Sequence, residues 1–227
     1  MTPELTSLIA ASLAFVGTHF ALSHPLRAPL VKRFGAAGFQ GLYSLVALAT
    51  FAWIALAFRA VPPAAPLWDG MSDALWLIAS LLTLLAAVLL VGSFFGNPAL
   101  PNPRAQANAA KPVHGVFHVT RHPMMWAFAL WAVSHALVMP TPRSLVLTGA
   151  MGFLALVGAY LQDRKKAELM GAAWIGWEAR TSYWPELSGL ARTGAVPWLG
   201  GLALWLVASW AHLPGNGVAA GVWRWLG

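Results

Sequence analysis

Six apolar runs, at about residues 5–22, 39–61, 74–95, 124–140, 145–161 and 196–213, constrain this chain more than any other feature of its sequence. Each is close to the roughly 17 to 25 residues that a helix needs to cross hydrocarbon. In lipid the backbone has to satisfy its own polar groups, so open sheet edges are excluded and helices remain. The composition agrees: 59% of the 227 residues are hydrophobic and 9% are charged, against about a quarter charged in an average soluble domain. The expected architecture is all-α: a single multi-pass bundle of about six membrane-spanning helices over residues 1–227, with the lipid bilayer as its partner.

Charge gives the orientation. Eleven of the fourteen basic residues fall after the first, third and fifth runs: Arg27, Lys32 and Arg33; Arg104, Lys111 and Arg121; Arg164, Lys165, Lys166, Arg180 and Arg192. By the positive-inside rule these segments face the cytoplasm, so both termini are expected on the outer side, together with Asp69 and Asp73 between runs two and three. The net charge of +7 therefore reads as topology and lipid contact. No soluble face gathers basic and stacking residues, which argues against a nucleic-acid partner. The first run follows Glu4, with no basic stretch before it and no Ala-x-Ala site after it, as a retained helix would. With no cysteine, disulfides and thiolate ligands are excluded. Tryptophans near run ends, among them Trp126, Trp174, Trp177, Trp184, Trp198, Trp223 and Trp225, read as an interfacial belt.

Two inner-side segments are long. Residues 97–121 carry prolines at 98, 101, 103 and 112, which argue for an extended excursion. Residues 163–183 place Leu169, Met170, Ala173, Trp174 and Trp177 on one helical arc, with Ile175 off it, the pattern of a cytoplasmic interfacial helix; the alternative is a plain extension of run five.

Histidine carries the functional signal. His19 lies in the first run and His135 in the fourth, where an ionisable side chain is costly and marks a site by default; the alternative for each is a neutral imidazole bonded between helices. His114, His118 and His122 repeat at i, i+4, a zinc spacing if helical. Gly115, the β-branched residues and Pro123 argue against one helix there. The other chemistry open to these residues is haem, its iron held by imidazoles of two helices and its propionates met by Arg27 and Arg121. Depth complicates the choice of ligand. At about 1.5 Å per residue, His135 lies roughly 20 Å beyond His122, past the middle of its run, whereas His19 lies near the inner end of run one, a level that suits His122 better.

The blocks HFALSHPLRAPLVKRFGAAGFQGLYSLVALATFAWIAL (19–56) and TRHPMMWAFALWAVSHAL (120–137) resemble the NnrU family of bacterial membrane proteins, and through it the plant zeta-carotene isomerases. The resemblance implies an inner-membrane location, a role in nitrite or nitric oxide metabolism or in redox-dependent isomerisation of a carotenoid-like apolar substrate, and haem b on His19 and His135. Arg121 and Arg27 would then face the propionates, and Tyr43, Ser44 and Ser134 would be supporting donors. The electron donor is not implied. Ala132 stands where the isomerases carry a cysteine proposed as a ligand switch, so that switch is absent. More distantly, the Arg121–Pro123 triplet with AELMGAAWIGWEARTSYWP (167–185) is similar to isoprenylcysteine carboxyl methyltransferases, which implies S-adenosylmethionine as an alternative cofactor. A non-enzymatic haem sensor or accessory factor is a third reading.

Overall fold

The computed structural model describes residues 1–226. Its helices are α1 (Pro3–Ser23), α2 (Arg27–Ala60), α3 (Asp73–Gly92), α4 (Ala105–Ala110), α5 (Pro123–Val138), α6 (Pro142–Met170), α7 (Ala172–Glu178), α8 (Ala195–Trp210), α9 (His212–Asn216) and α10 (Trp223–Leu226), with 3₁₀ turns at Gly115–His118 and Leu187–Arg192. Local chemistry starts them. The Thr2 hydroxyl accepts from Leu5 N at 3.2 Å ahead of α1 and Ser72 from Leu75 N at 3.4 Å ahead of α3. Proline at the first helical position opens α1, α5 and α6, where its missing N–H costs nothing.

α1, α2, α3, α6 and the segment that α8 begins are long and apolar enough to cross a membrane. Neighbours pack in the spatial order α2, α1, α6, α5, α3, α8. Large apolar side chains such as Leu45, Leu48, Leu56, Leu81, Leu199 and Val207 are exposed, as lipid-facing residues are and residues of a water-soluble surface are not. Between neighbours the faces are tight: Leu8, Ala11 and Phe15 pack on Ile54 and Ala57, and Val88 and Leu89 on Val116 and Ala127. Gly201 of α8 lies so close to α3 that a Cβ there would stand 2.6 Å from Val88 Cα, the small-residue contact that lets membrane helices approach.

The boundaries depart from the runs in four places. α2 begins at Arg27 rather than near 39, with a break at Gly35 (φ 70°). Its charged first turns fold as helix but suit hydrocarbon poorly, and glycine supplies the left-handed residue that redirects the chain. α5, the fourth run, stops at Val138 after 16 residues, short of the 17 or so that span by length alone. Residues 97–121 are not simply extended: α4 and the first 3₁₀ turn lie within them. Finally, the charged stretch after residue 162 continues α6 without interruption to Met170, where Gly171 (φ 54°) turns the chain into the short α7.

Those last elements build a cap at the end of the bundle where α1, α3 and α6 finish. Met170, Trp174 and Trp177 pack with Ala99, Ala109 and Phe117 in its core. Trp174 and Trp177 are wholly buried, which corrects their place in an interfacial belt; Ile175 is exposed, as its position off the arc demands.

Candidate functional site

The cap meets the bundle at Asp163, on α6 just past the apolar run. Arg121 donates to it from Nε, at 3.1 and 3.0 Å to the two carboxylate oxygens, and from NH2 at 2.7 Å. His122 Nε2–H donates to Oδ1 at 2.7 Å. The His122 side chain is wholly buried and those of Arg121 and Asp163 are nearly so. Buried ions hold together only when paired and bonded in this way. Glu178 stands 3.7 Å from Arg121 and adds a second negative charge.

The backbone presents the triplet. Arg121 N donates to Ser182 O and Glu186 N to Val119 O, both at 2.8 Å. Thr120 Oγ1 donates to Tyr183 O at 2.8 Å, and Trp126 Nε1 donates to the same carbonyl at 2.8 Å. The Tyr183 hydroxyl reaches across to Leu156 O of α6 at 2.8 Å. Burial, and then the Asp163 charge, push the Tyr183 phenol above its ordinary range. His122 Nδ1 is buried without a hydrogen-bond partner, so Asp163 supplies the imidazole's one side-chain hydrogen bond among the described residues, and the Tyr183 ring packs edge-on against it at 5.5 Å.

A groove of about 720 Å³ opens beside this cluster, between the outer face of α6 and residues 178–184. Leu156, Val157, Tyr160 and Trp184 line its apolar length; Arg121, Asp163, Arg164 and Glu178 line its polar end. Arg164 donates to the Tyr160 hydroxyl and lies over its ring, 4.6 Å from the centroid. A second hollow of about 680 Å³ lies within the cap, among Phe117, His118, Arg180, Ser182, Glu186 and Arg192. There burial, with the nearby charges of Arg192 and His114, lowers the His118 imidazole.

The histidines expected to hold iron do not share this site or each other's surroundings. His19 Nδ1–H donates to Phe15 O at 2.7 Å, and its ring contacts Phe15 and Tyr43, between α1 and α2. His135 donates from Nδ1 to Trp131 O at 2.9 Å, and its ring contacts Trp131 and His212. α6 stands between their helices. His24 donates to Leu161 O and His122 to Asp163, so both chain segments can be levelled on α6. From those levels His19 lies about 8 Å into the bundle and His135 about 20 Å, at about 1.5 Å per residue. Two imidazoles on one iron must bring their nitrogens within about 4 Å of each other, given metal–nitrogen bonds of about 2 Å. His19 and His135 do not fit a single iron in this arrangement, and His122, level with the cap, is committed to Asp163. Arg27 lies over the Phe39 ring, 5.8 Å from its centroid, and Arg121 faces a carboxylate of its own chain. Among the described residues no three histidines or carboxylates form a metal cluster; His114 precedes a 3₁₀ turn, His118 ends it and His122 precedes α5, so the three do not lie on one helix.

Sequence reasoning passed over Asp163, Tyr183 and Trp184. The available signal was an acid directly after an apolar run, in a chain whose basic triplet had no acid nearby in sequence.

Fold and cap together define a multi-pass helical membrane protein with an ion-paired lock at one end of its bundle. The chain matches the family model described as NnrU protein over residues 7–220, and it belongs to that family. No curated protein and no solved structure matches it.

Proposed function

We propose that this NnrU-family protein binds an elongated apolar molecule with a hydrogen-bonding, net-neutral end, taken from the bilayer into the groove on α6. The observation that carries the reading is the groove's two-part lining. Its apolar wall, Leu156, Val157 and Tyr160, belongs to the helix face that passes from the membrane, and its polar end holds two arginines against two carboxylates. Apolar walls with a few placed polar groups are what small-molecule sites share. A polyene of carotenoid type has this shape, and its isomerisation, or a part in nitrite or nitric oxide metabolism, is the finer role the family suggests. Haem on His19 and His135 receives no step here, because those residues do not converge. The cap, with most of the basic residues, faces the cytoplasm by the positive-inside rule.

Retinol, a polyene with a hydroxyl head, tests the groove. Detergent-purified protein should induce a saturable circular dichroism band in bound retinol. Leu156→Trp, which fills the groove, should weaken binding at least tenfold, whereas Leu45→Trp on the exposed face of α2 should not. Equal retinol binding by both variants would remove the groove from the proposal.

One observation favours a second reading, a membrane methyltransferase using S-adenosylmethionine. The Arg121–Pro123 triplet and residues 163–184, distant in sequence, assemble into one cap through Asp163, Ser182 and Tyr183. Calorimetric titration with S-adenosylmethionine should then show one saturable site, and no heat in a folded sample would eliminate it.

A further inference from the structure

The corner between α1 and α2 and the charged end of α6 bring three cations together. His24 Nε2–H donates to Leu161 O at 3.2 Å, which sets the corner against the last residue of the fifth apolar run. Lys165 stands one turn further along the same face of α6, and Arg27 follows His24 directly after the corner. The charge of Arg27 is felt at Lys165, and those of Lys165 and Arg27 at Lys166. None of the three is freely solvated. Lys166 is buried, its Nζ donating to Pro98 O at 3.0 Å, and Lys165 and Arg27 are half-buried.

The chain does not answer this charge. Among the described residues none of the three forms an ion pair, Asp163 is taken by Arg121 and His122, and Glu178 faces Arg121. Glu168, the remaining acid at this end of α6, is exposed and joins no ion pair. Like charges drawn out of water are costly unless an anion joins them. Arg27 also opens the segment of α2 that ends at the Gly35 break, RAPLVKRF (27–34), which adds Lys32 and Arg33 and no acid. Leu26 and Phe34 are exposed at its two ends. Cations interleaved with exposed apolar side chains, at the level where apolar runs finish, are the pattern of a chain that meets a negatively charged bilayer surface.

We propose that Arg27, Lys165 and Lys166 hold the phosphate of an anionic phospholipid headgroup between the α1–α2 corner and α6. Lys165 has all three of its ammonium protons to give, Lys166 two beyond the one spent on Pro98 O, and Arg27 a guanidinium that suits phosphate oxygens. By the positive-inside rule this end faces the inner leaflet, whose surface is negative. A free phosphate shares the anionic chemistry, but only a lipid also brings chains to lie against Leu26 and Phe34. The groove is a separate place: Tyr160, Arg164 and Ala167 line it on another face of α6.

The test uses full-length protein, delipidated in detergent and titrated in native mass spectrometry with phosphatidylglycerol and with phosphatidylcholine of the same chains. One phosphatidylglycerol should bind at least tenfold more tightly than phosphatidylcholine, and Lys165→Gln and Arg27→Gln should each cut that preference at least fivefold. Lys165→Arg should retain it, and Arg192→Gln, which removes one charge from the cap, should bind as the parent does. Should Arg27→Gln fail to fold, Lys165→Gln, whose ammonium bonds nothing else in the described chain, carries the test alone. Equal binding of the two lipids overturns the proposal, as does a loss in Arg192→Gln as large as in Lys165→Gln, which would reduce the effect to net charge. Displacement of phosphatidylglycerol by an equal concentration of inorganic phosphate overturns it too, and would make this a site for free anions.

Discussion

Asp163→Ala is the perturbation whose cost the structure defines best. The carboxylate neutralises a guanidinium with 13% side-chain exposure and bonds an imidazole with none. Its removal leaves Arg121 charged with only Thr181 O, at 3.2 Å, and Glu178, at 3.7 Å, to face, and leaves His122 with neither ring nitrogen bonded. Removing one partner of a buried ion pair costs about 3–5 kcal/mol. For a chain of this length about 2–4 °C is lost per kcal/mol, so the apparent Tm should fall by about 6–20 °C. Scanning fluorimetry on the tryptophans reads this directly. A second comparison separates a stranded charge from a simple cavity: Arg121→Met combined with Asp163→Leu should recover much of the loss, because an apolar pair of similar volume replaces buried ions at little cost. A Tm within about 1 °C of the parent for Asp163→Ala, or a double variant as unstable as the two single changes summed, would refute the claim that this cluster locks cap to bundle.

Two glycine changes should have opposite outcomes. Gly201→Ala places a Cβ against Val88 Cα at 2.6 Å, and overpacking of that kind costs about 1–3 kcal/mol. Gly41→Ala in α2 meets nothing within 4 Å and should hold or raise Tm, since alanine is the better helix former by about 1 kcal/mol; similar melts for the two would deny the α3–α8 contact. The pH prediction rests on His118, which lies outside the spanning helices and whose pKa is lowered in the folded chain. Such a group takes up a proton on unfolding, so its contribution is fully present above the ordinary value of about 6.5 and is lost as pH falls below it. His118→Gln should therefore flatten the fall of Tm on acidification between about pH 7.5 and 5, and an unchanged slope would show that the imidazole does not titrate as its surroundings require.

The bundle was legible in the sequence because hydrocarbon imposes length and composition, and each of the six runs corresponds to a helix. The errors share a cause. Hydropathy marks where lipid ends, whereas backbone hydrogen bonding continues past it, so α2 starts twelve residues before its run and α6 carries its charges on into the cap. The Arg121–Pro123 triplet was correctly placed at the mouth of a helix, and Pro123 does open α5. Its basic side chain was assigned to an anionic ligand, because the anion it meets is a carboxylate 42 residues away, and no local spacing reports such a pair. His135 was singled out as an ionisable group deep in an apolar helix, which it is. Its neighbour His212 could not be inferred, since α9 reaches it only through the packing order of six helices.

The brevity of α5 has a consequence for where such a protein settles. Sixteen residues make about 24 Å of helix, about 6 Å less than a typical hydrocarbon core. Phe128 and Val133 nonetheless face outward from it. The surrounding bilayer has to thin beside α5 or the cap has to sink toward the acyl chains, and each ångström of mismatch costs a fraction of a kcal/mol. Thin, fluid membrane should therefore favour this protein over thick, ordered membrane, and a sinking cap would carry the mouth of the groove on α6 toward the lipid chains with it.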